Sequence, residues 1–179
     1  MFPFINDNRN DRQFKVDVFD MNADSKLDVL ATAWSSNEVA YWICDDLQSN
    51  LWTKNIITSN LPAPVRAFGC DFDLDSDFDI VVVCKIPGKL SLFTNDNFNW
   101  NEQVLYSNFA GGSALAVEDV DKDGDDDIIA GAGILGDLYW WENKTINTSL
   151  EDEELMPFNY RLEQNFPNPF NPSTMIKYE

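Results

Sequence analysis

Three short windows contain most of the side chains that could do chemistry, and nearly all of these are carboxylates. The windows cover residues 20–28 (DMNADSKLD), 71–79 (DFDLDSDFD) and 119–127 (DVDKDGDDD), and they begin 51 and 48 residues apart. Each has Asp at positions one, five and nine and Asp or Asn at position three. Hard oxygen ligands packed this closely suit Ca²⁺, which takes about six to eight of them. The windows therefore predict three calcium-binding loops.

The candidate ligands repeat from loop to loop. They are Asp20, Asn22, Asp24 and Asp28 in the first loop, Asp71, Asp73, Asp75 and Asp79 in the second, and Asp119, Asp121, Asp123 and Asp127 in the third. A backbone carbonyl at position seven (Lys26, Asp77 or Asp125) would complete each set. Fourteen of the 31 acidic residues lie in these loops, and so many like charges repel one another unless a cation neutralises them. We expect the third loop to bind most tightly, because it combines four carboxylates with Gly124 at the turn.

Three alternative roles for these windows fit less well. Acidic turns that are merely solvated have no reason to repeat the same spacing of acidic residues in three separate windows. An EF-hand needs a carboxylate at position twelve and flanking helices, but that position holds Ala31, Val82 and Ala130 between β-rich flanks. The carboxylate pair of a glycosidase is expected once in a chain, not in every repeat.

Charge and composition exclude several other functions. Twelve basic and 31 acidic residues among 179 give a net charge of −19, so nucleic acid and anionic membranes are poor partners. The chain has no His, which removes the usual general base and the imidazole metal sites. No apolar stretch is long enough for membrane insertion. The three cysteines, Cys44, Cys70 and Cys84, have neither disulfide-framework nor zinc spacing, and we interpret them as small buried hydrophobic residues.

The segments around the loops predict the fold. An apolar run follows each loop, beginning at Val29, Ile80 and Ile128, and a turn former stands 17 residues after each first Asp, at Asn37, Gly88 and Gly136. In one unit of about 50 residues we predict four strands: around Ile56, then over residues 66–70, 80–84 and 89–94. Four strands in a repeat of this length are typical of a β-propeller blade.

These units resemble FG-GAP or VCBS-type propeller repeats, whose loop D-x-[DN]-x-D-G-x-x-D leads into an apolar strand. The third unit matches almost throughout, whereas Ser25 and Ser76 replace the Gly of the first and second loops. Because that position usually needs a positive φ, these two loops are expected to bind more weakly. The resemblance implies calcium binding and a secreted or surface-exposed setting.

The C-terminal part departs from the repeat. Residues 147–158 are acidic and aperiodic, which predicts a linker, and residues 162–178 (LEQNFPNPFNPSTMIKY) resemble the opening of the C-terminal sorting domain of type IX secretion cargo in Gram-negative bacteria. That resemblance implies a truncated β-sandwich segment that is recognised by the type IX machinery. With no signal-peptide pattern at the start, we expect the chain to be a piece of a longer secreted protein.

The sequence therefore predicts an all-β partial propeller of about three four-stranded blades. The predicted units are residues 1–51, 52–99 and 100–146, followed by the linker and by a sorting segment over 159–179. The predicted function is a non-catalytic, calcium-binding scaffold or adhesion module that contacts a protein or carbohydrate ligand at a Gram-negative cell surface. The alternative is an accessory domain of a secreted polysaccharide-degrading enzyme, whose catalytic part would lie outside this chain.

Overall fold

The computed structural model describes residues 14–134, 136–145 and 158–160, and only the backbone of Phe14 and of residues 158–160. This part of the chain forms twelve β-strands and contains no helix. The all-β class predicted from the sequence is confirmed. The described residues accordingly offer no helical segment long and apolar enough to span a bilayer.

The strands form three antiparallel sheets in which each strand pairs with the next one along the chain. The first sheet contains β1 (Phe14–Phe19), β2 (Asp28–Ala33), β3 (Glu38–Asp46) and β4 (Leu51–Thr58). The second contains β5 (Pro64–Cys70), β6 (Asp79–Cys84), β7 (Lys89–Asp96) and β8 (Asn99–Tyr106). The third contains β9 (Gly112–Glu118), β10 (Asp127–Ala132), β11 (Asp137–Trp141) and β12 (Phe158–Tyr160). Such meanders agree with a partial propeller.

The second strand of each sheet is the most deeply buried. All six residues of β6 are buried, as an apolar run covered on both faces requires. The last strands, β4 and β8, have mostly exposed or half-buried residues, and their polar side chains suit the outer edge of a sheet. In the first two sheets the inner strands therefore carry the core, and β4 and β8 form the outer edge.

The turn between the second and third strands needs a left-handed residue at one position. Asn37, Gly88 and Gly136 occupy it with φ of 56°, 102° and 74°, a conformation that Gly and Asn tolerate best. These are the three turn formers that recur 17 residues after the first Asp of each loop. Their predicted role as turn residues is confirmed.

The sheets begin one strand later than the units predicted from the sequence. The strand around Ile56, predicted to open the second unit, is β4, and it pairs with β3 of the first sheet. In the same way β8 closes the second sheet rather than opening the third. The spacing of a repeat gives its period, but only hydrogen bonding between strands determines where each unit begins.

The fourth strand of the third sheet comes from beyond the predicted linker. Residues 158–160 form β12, which pairs with β11 through Leu138, Tyr139 and Trp140. This strand spans the boundary that we predicted between the linker and the sorting segment. The remainder of both segments, over residues 147–157 and 161–179, lies outside the described residues, and their domain assignment stays a prediction.

The first and second sheets pack through a continuous apolar layer. Leu30, Val39 and Tyr41 of the first sheet meet Ile80 and Val82 of the second. Phe19 and Gly69 also meet at this interface, where a Cβ on the glycine would overlap the phenylalanine ring. Gly69 therefore allows the two sheets to approach closely.

The other face of the second sheet packs on the third sheet. Val81, Val83, Leu90 and Leu92 meet the apolar side chains of β9 to β11. Four aromatic side chains join this layer with ring centroids 5.4–6.2 Å apart: Tyr106, Phe109, Tyr139 and Trp141. The second sheet is thus covered on both faces, and its two neighbours cover one face each.

All three cysteines are buried and none forms a disulfide. Burial raises the pKa of the Cys84 thiol to about 12, so very little thiolate exists at neutral pH. We expect an aromatic disulfide reagent to modify all three thiols in denaturant and almost none in the native chain. Thiol titration by absorbance measures both numbers. Rapid modification of any cysteine under native conditions would contradict the buried positions.

Candidate metal centres

Each Asp loop connects the first and second strands of its sheet. The loops lie between β1 and β2, between β5 and β6, and between β9 and β10. Stacking of the sheets brings neighbouring loops together: the rings of Phe19 and Phe78 lie 4.8 Å apart between the first and second loops. Asn143 Nδ2 donates a 2.8 Å hydrogen bond to the carbonyl oxygen of Phe72, which ties the third sheet to the second loop. The fold therefore places the three loops at one end of the stack.

All three loops share a backbone path with left-handed residues at positions four and six. Position four is Ala23, Leu74 and Lys122, with φ of 56°, 62° and 65°, and position six is Ser25, Ser76 and Gly124, with φ of 66°, 78° and 105°. The predicted need for a positive φ at position six is confirmed. A non-glycine residue in this conformation costs about 1–2 kcal/mol, so Ser25 and Ser76 add backbone strain that Gly124 avoids.

The position-five carboxylate turns the backbone in every loop. Its Oδ1 accepts a hydrogen bond from the amide of position seven, at 2.9 Å between Asp24 and Lys26, 2.8 Å between Asp75 and Asp77, and 3.2 Å between Asp123 and Asp125. These side-chain turns wrap the chain around the acidic groups. The predicted ligand role of the position-seven carbonyls stays a prediction.

Two of the loops gather three carboxylates that could hold an ion. Oxygens of Asp71, Asp73 and Asp75 lie within 4.8 Å of one another, and the same holds for Asp119, Asp121 and Asp123. Partial desolvation, reinforced by the neighbouring carboxylates, raises the pKa of Asp73 and of Asp121, although both side chains are exposed. The protein alone thus stabilises the negative charge poorly at these positions.

The second loop also presents an unpartnered oxygen to a hard cation. Asp71 Oδ1 is shielded from solvent and has no hydrogen-bond partner among the described residues, although a buried carboxylate oxygen without a partner is costly. Asp71 Oδ2 accepts a 3.1 Å hydrogen bond from the amide of Ser76, which leaves Oδ1 for another ligand. A divalent cation would satisfy this oxygen together with those of Asp73 and Asp75.

The ninth-position aspartates have different partners from the other candidate ligands. Asp28, Asp79 and Asp127 are 0–2% exposed. In each, Oδ2 accepts a hydrogen bond of 3.0–3.2 Å from the amide of loop position two, which is Met21, Phe72 or Val120. Oδ1 accepts one of 2.8 Å from an amide 16 residues further on, which is Cys44, Asn95 or Asn143. We call this arrangement the carboxylate clamp.

The carboxylate clamp has a structural role that the spacing did not reveal. Both oxygens face backbone amides, and these aspartates are not part of the two acidic triplets. Burial raises the pKa of Asp79 to about 6, so this carboxyl group is still mostly ionised at neutral pH and can accept both hydrogen bonds. The clamp joins the loop to the start of the second strand and to the end of the third.

The first loop contains its own cation. The ammonium of Lys26 contacts Asp24 Oδ2 at 2.9 Å and the carbonyl oxygens of Cys44 and Asp45 at 3.1 and 3.2 Å. The hydrogen bond from Lys26 lowers the pKa of Asp24, and the same contact raises the pKa of Lys26. With Asn22 at position three, this loop has fewer carboxylates and already neutralises one of them.

The comparison with known protein families agrees with the loop geometry. Residues 71–130 match the FG-GAP-like repeat. The matched FG-GAP-like segment begins at the first Asp of the second loop and ends in β10, so it contains the second and third loops. FG-GAP repeats are typical of extracellular proteins and often bind calcium. No curated protein and no solved structure matches the chain.

We predict that Asp79→Asn lowers the free energy of unfolding in chelator by about 2–4 kcal/mol. An amide offers only one acceptor oxygen and turns its NH₂ group toward a buried N–H, so one of the two clamped amides loses its partner. Urea denaturation in EDTA measures the change. The matched control is Asp73→Asn in the same loop, which should leave this stability unchanged or slightly higher because it removes a like charge. Equal losses in both variants would contradict the clamp.

We also predict that Lys26→Asn strengthens calcium binding at the first loop, because it removes the ammonium that occupies Asp24. The matched control is Lys122→Asn in the third loop, because Lys122 carries the same charge and forms no ion pair within the described part of the chain. Isothermal titration should show an additional binding event for Lys26→Asn only. Identical titrations of the two variants would contradict a role for Lys26 as internal cation.

Proposed function

We propose that this chain is a calcium-binding, non-catalytic propeller module of a secreted or cell-surface protein that acts as a scaffold or as an adhesion surface. The observation that carries this proposal is the recurrence of one loop at the same place in all three sheets, with two loops gathering three carboxylates each. The FG-GAP-like repeat over residues 71–130 supports a β-propeller-like module.

Calcium would stiffen one end of the stack. When bound, the ion would neutralise like charges that otherwise repel one another. Asp71, Asp73 and Asp75 would hold it in the second loop, and the equivalent residues Asp119, Asp121 and Asp123 in the third. We call each of these carboxylate triplets a cage. The carboxylate clamp would keep each cage attached to its sheet whether or not the ion is present.

A non-catalytic role is consistent with the distribution of reactive groups. The sequence has no His, and its three thiols are buried. The acidic groups that could act as acid or base recur in each repeat, so no single pair stands apart from the others. A binding or structural role needs no such unique pair.

The proposed partners are inferred from the proposed extracellular location, and not from a particular binding pocket. A secreted or surface module of this kind would contact a protein or carbohydrate ligand. The proposed Gram-negative location and recognition by the type IX secretion machinery depend on residues 162–178, which lie outside the described residues. They are supported only by the resemblance of that segment to a sorting domain.

Calcium titration tests this proposal. We expect two calcium ions to bind in the range of about 10⁻⁴ to 10⁻³ M that is usual for extracellular modules, and the melting temperature to rise as they bind. The third loop should bind more tightly than the second, because Gly124 adopts its positive φ without the strain of Ser76.

Asp75→Asn and Asp123→Asn should each remove one binding event and part of the thermal shift. Asp96→Asn, which changes an acidic residue outside the loops by the same chemistry, is the matched control and should leave both unchanged. Absence of calcium-dependent heat or stabilisation at millimolar calcium would refute the proposal.

A further inference from the structure

A buried amide of the third sheet reaches into the second Asp loop. Asn143 follows β11 and is 3% exposed. Its Oδ1 accepts hydrogen bonds from the amide and the hydroxyl of Thr145, at 3.2 and 2.9 Å. Because these two donors fix the orientation of the side-chain amide, Nδ2 faces the second loop, where it donates the 2.8 Å hydrogen bond to the carbonyl oxygen of Phe72.

Phe72 stands between two of the carboxylates that form the second cage. Its amide donates a 3.0 Å hydrogen bond to Asp79 Oδ2 in the carboxylate clamp of its own sheet, and its carbonyl oxygen accepts the bond from Asn143. The peptide groups on both sides of Phe72 are therefore held, one by the second sheet and the other by the third. Since these groups join Phe72 to Asp71 and to Asp73, the two sheets together set the backbone of both carboxylates.

The equivalent residue of the second sheet has its partners within its own repeat. Asn95 likewise donates its backbone amide to the ninth-position aspartate, but its Nδ2 donates a 3.2 Å hydrogen bond to the carbonyl oxygen of Phe78 in the second loop itself. Its Oδ1 accepts a 2.7 Å hydrogen bond from the amide of Phe98. The first sheet has Cys44 at this position, which offers no side-chain amide. The contact between Asn143 and the loop of a neighbouring sheet is therefore not a general property of the repeat.

We infer that Asn143 is a positioning residue for calcium in the second loop, so that the third sheet helps to build the cage of the second. This inference rests on the proposed calcium binding. A cage whose backbone is already held loses less conformational freedom when it binds an ion, and preorganisation of this kind raises affinity. By linkage, calcium in the second loop strengthens the hydrogen bond between Asn143 and Phe72 by the same factor. If the bond served only to hold the sheets together, calcium affinity would not depend on it.

A site-resolved calcium titration of Asn143→Ala tests the inference. In NMR spectra of the ¹⁵N-labelled full chain, the amide resonance of Ser76 reports on the second loop and that of Gly124 on the third. The substitution removes the side-chain donor but keeps the backbone amide that bonds to Asp127. Calcium binding at the second loop should weaken about three- to tenfold, as the loss of one hydrogen bond implies, while binding at the third loop stays unchanged.

Ile128→Val is the matched control for loss of packing in the third sheet. Ile128 is fully buried in the layer between the second and third sheets, and removing one methyl group from it leaves the partners of Phe72 in place. The melting temperature should fall slightly, and the calcium affinity of both loops should stay as in the wild type. Equal weakening of the second loop by Ile128→Val and by Asn143→Ala would show that lost packing is the cause, and would overturn the inference.

The Asp123→Asn variant tests the same link without altering Asn143. Because its third loop has lost a candidate ligand, the second loop should account for the calcium response. The side-chain amide protons of Asn143 should then exchange with water more slowly as calcium is added, with the same midpoint as the shift of the Ser76 resonance. Saturation transfer from water measures this exchange.

The outcomes separate this inference from the proposed function. Unchanged second-loop affinity in Asn143→Ala, or unchanged exchange at Asn143 while Ser76 responds to calcium, would overturn the inference alone. A wild-type chain in which neither loop responds to millimolar calcium would overturn the proposed function and the inference together.

Discussion

The carboxylate clamp is the interaction on which each sheet depends. One buried aspartate at the start of the second strand accepts hydrogen bonds from the loop before it and from the end of the third strand. Buried amides need such partners, because an unpaired N–H in an apolar setting costs about 1–3 kcal/mol. The clamp therefore fixes the ends of three consecutive strands, and it leaves positions one, three and five of the loop to face one another.

Stacking of the sheets brings the three Asp loops, each with its carboxylate clamp, together at one end of the molecule. That end is therefore acidic. The second sheet is apolar on both faces, so the sheets on either side bury its second strand completely. Phe19 packed against Gly69 and Asn143 bonded to Phe72 hold neighbouring loops in a fixed relation. Fourteen of the 31 acidic residues are in this way placed at one end of the stack, where a divalent cation can offset part of their charge.

The sequence predicted the features that depend on local spacing. The recurrence of Asp and of apolar runs indicated the strands, and Asn37, Gly88 and Gly136 indicated the turns, because a positive φ selects few residue types. The need for a positive φ also identified Ser25 and Ser76 as departures from the usual loop. These features are readable because each depends on residues close together in the chain. Contacts between distant residues were not readable: only the structure shows that Asp79 accepts hydrogen bonds from two amides, one of them 16 residues away. Lys26 likewise reaches carbonyl oxygens 18 and 19 residues away. The predicted ligand role of Asp28, Asp79 and Asp127 stays a prediction.

Amide hydrogen exchange, measured by NMR on the uniformly ¹⁵N-labelled chain with and without calcium, tests most directly whether clamp and cage act separately. If they do, the amides of Phe72 and Asn95 exchange slowly even in chelator. The loop amides of Ser76 and Asp77 then exchange quickly in chelator and slow down when calcium binds. If Phe72 and Asn95 exchanged as quickly as Ser76 until calcium was added, Asp79 would depend on the ion for its position, and the separation of clamp from cage would be wrong.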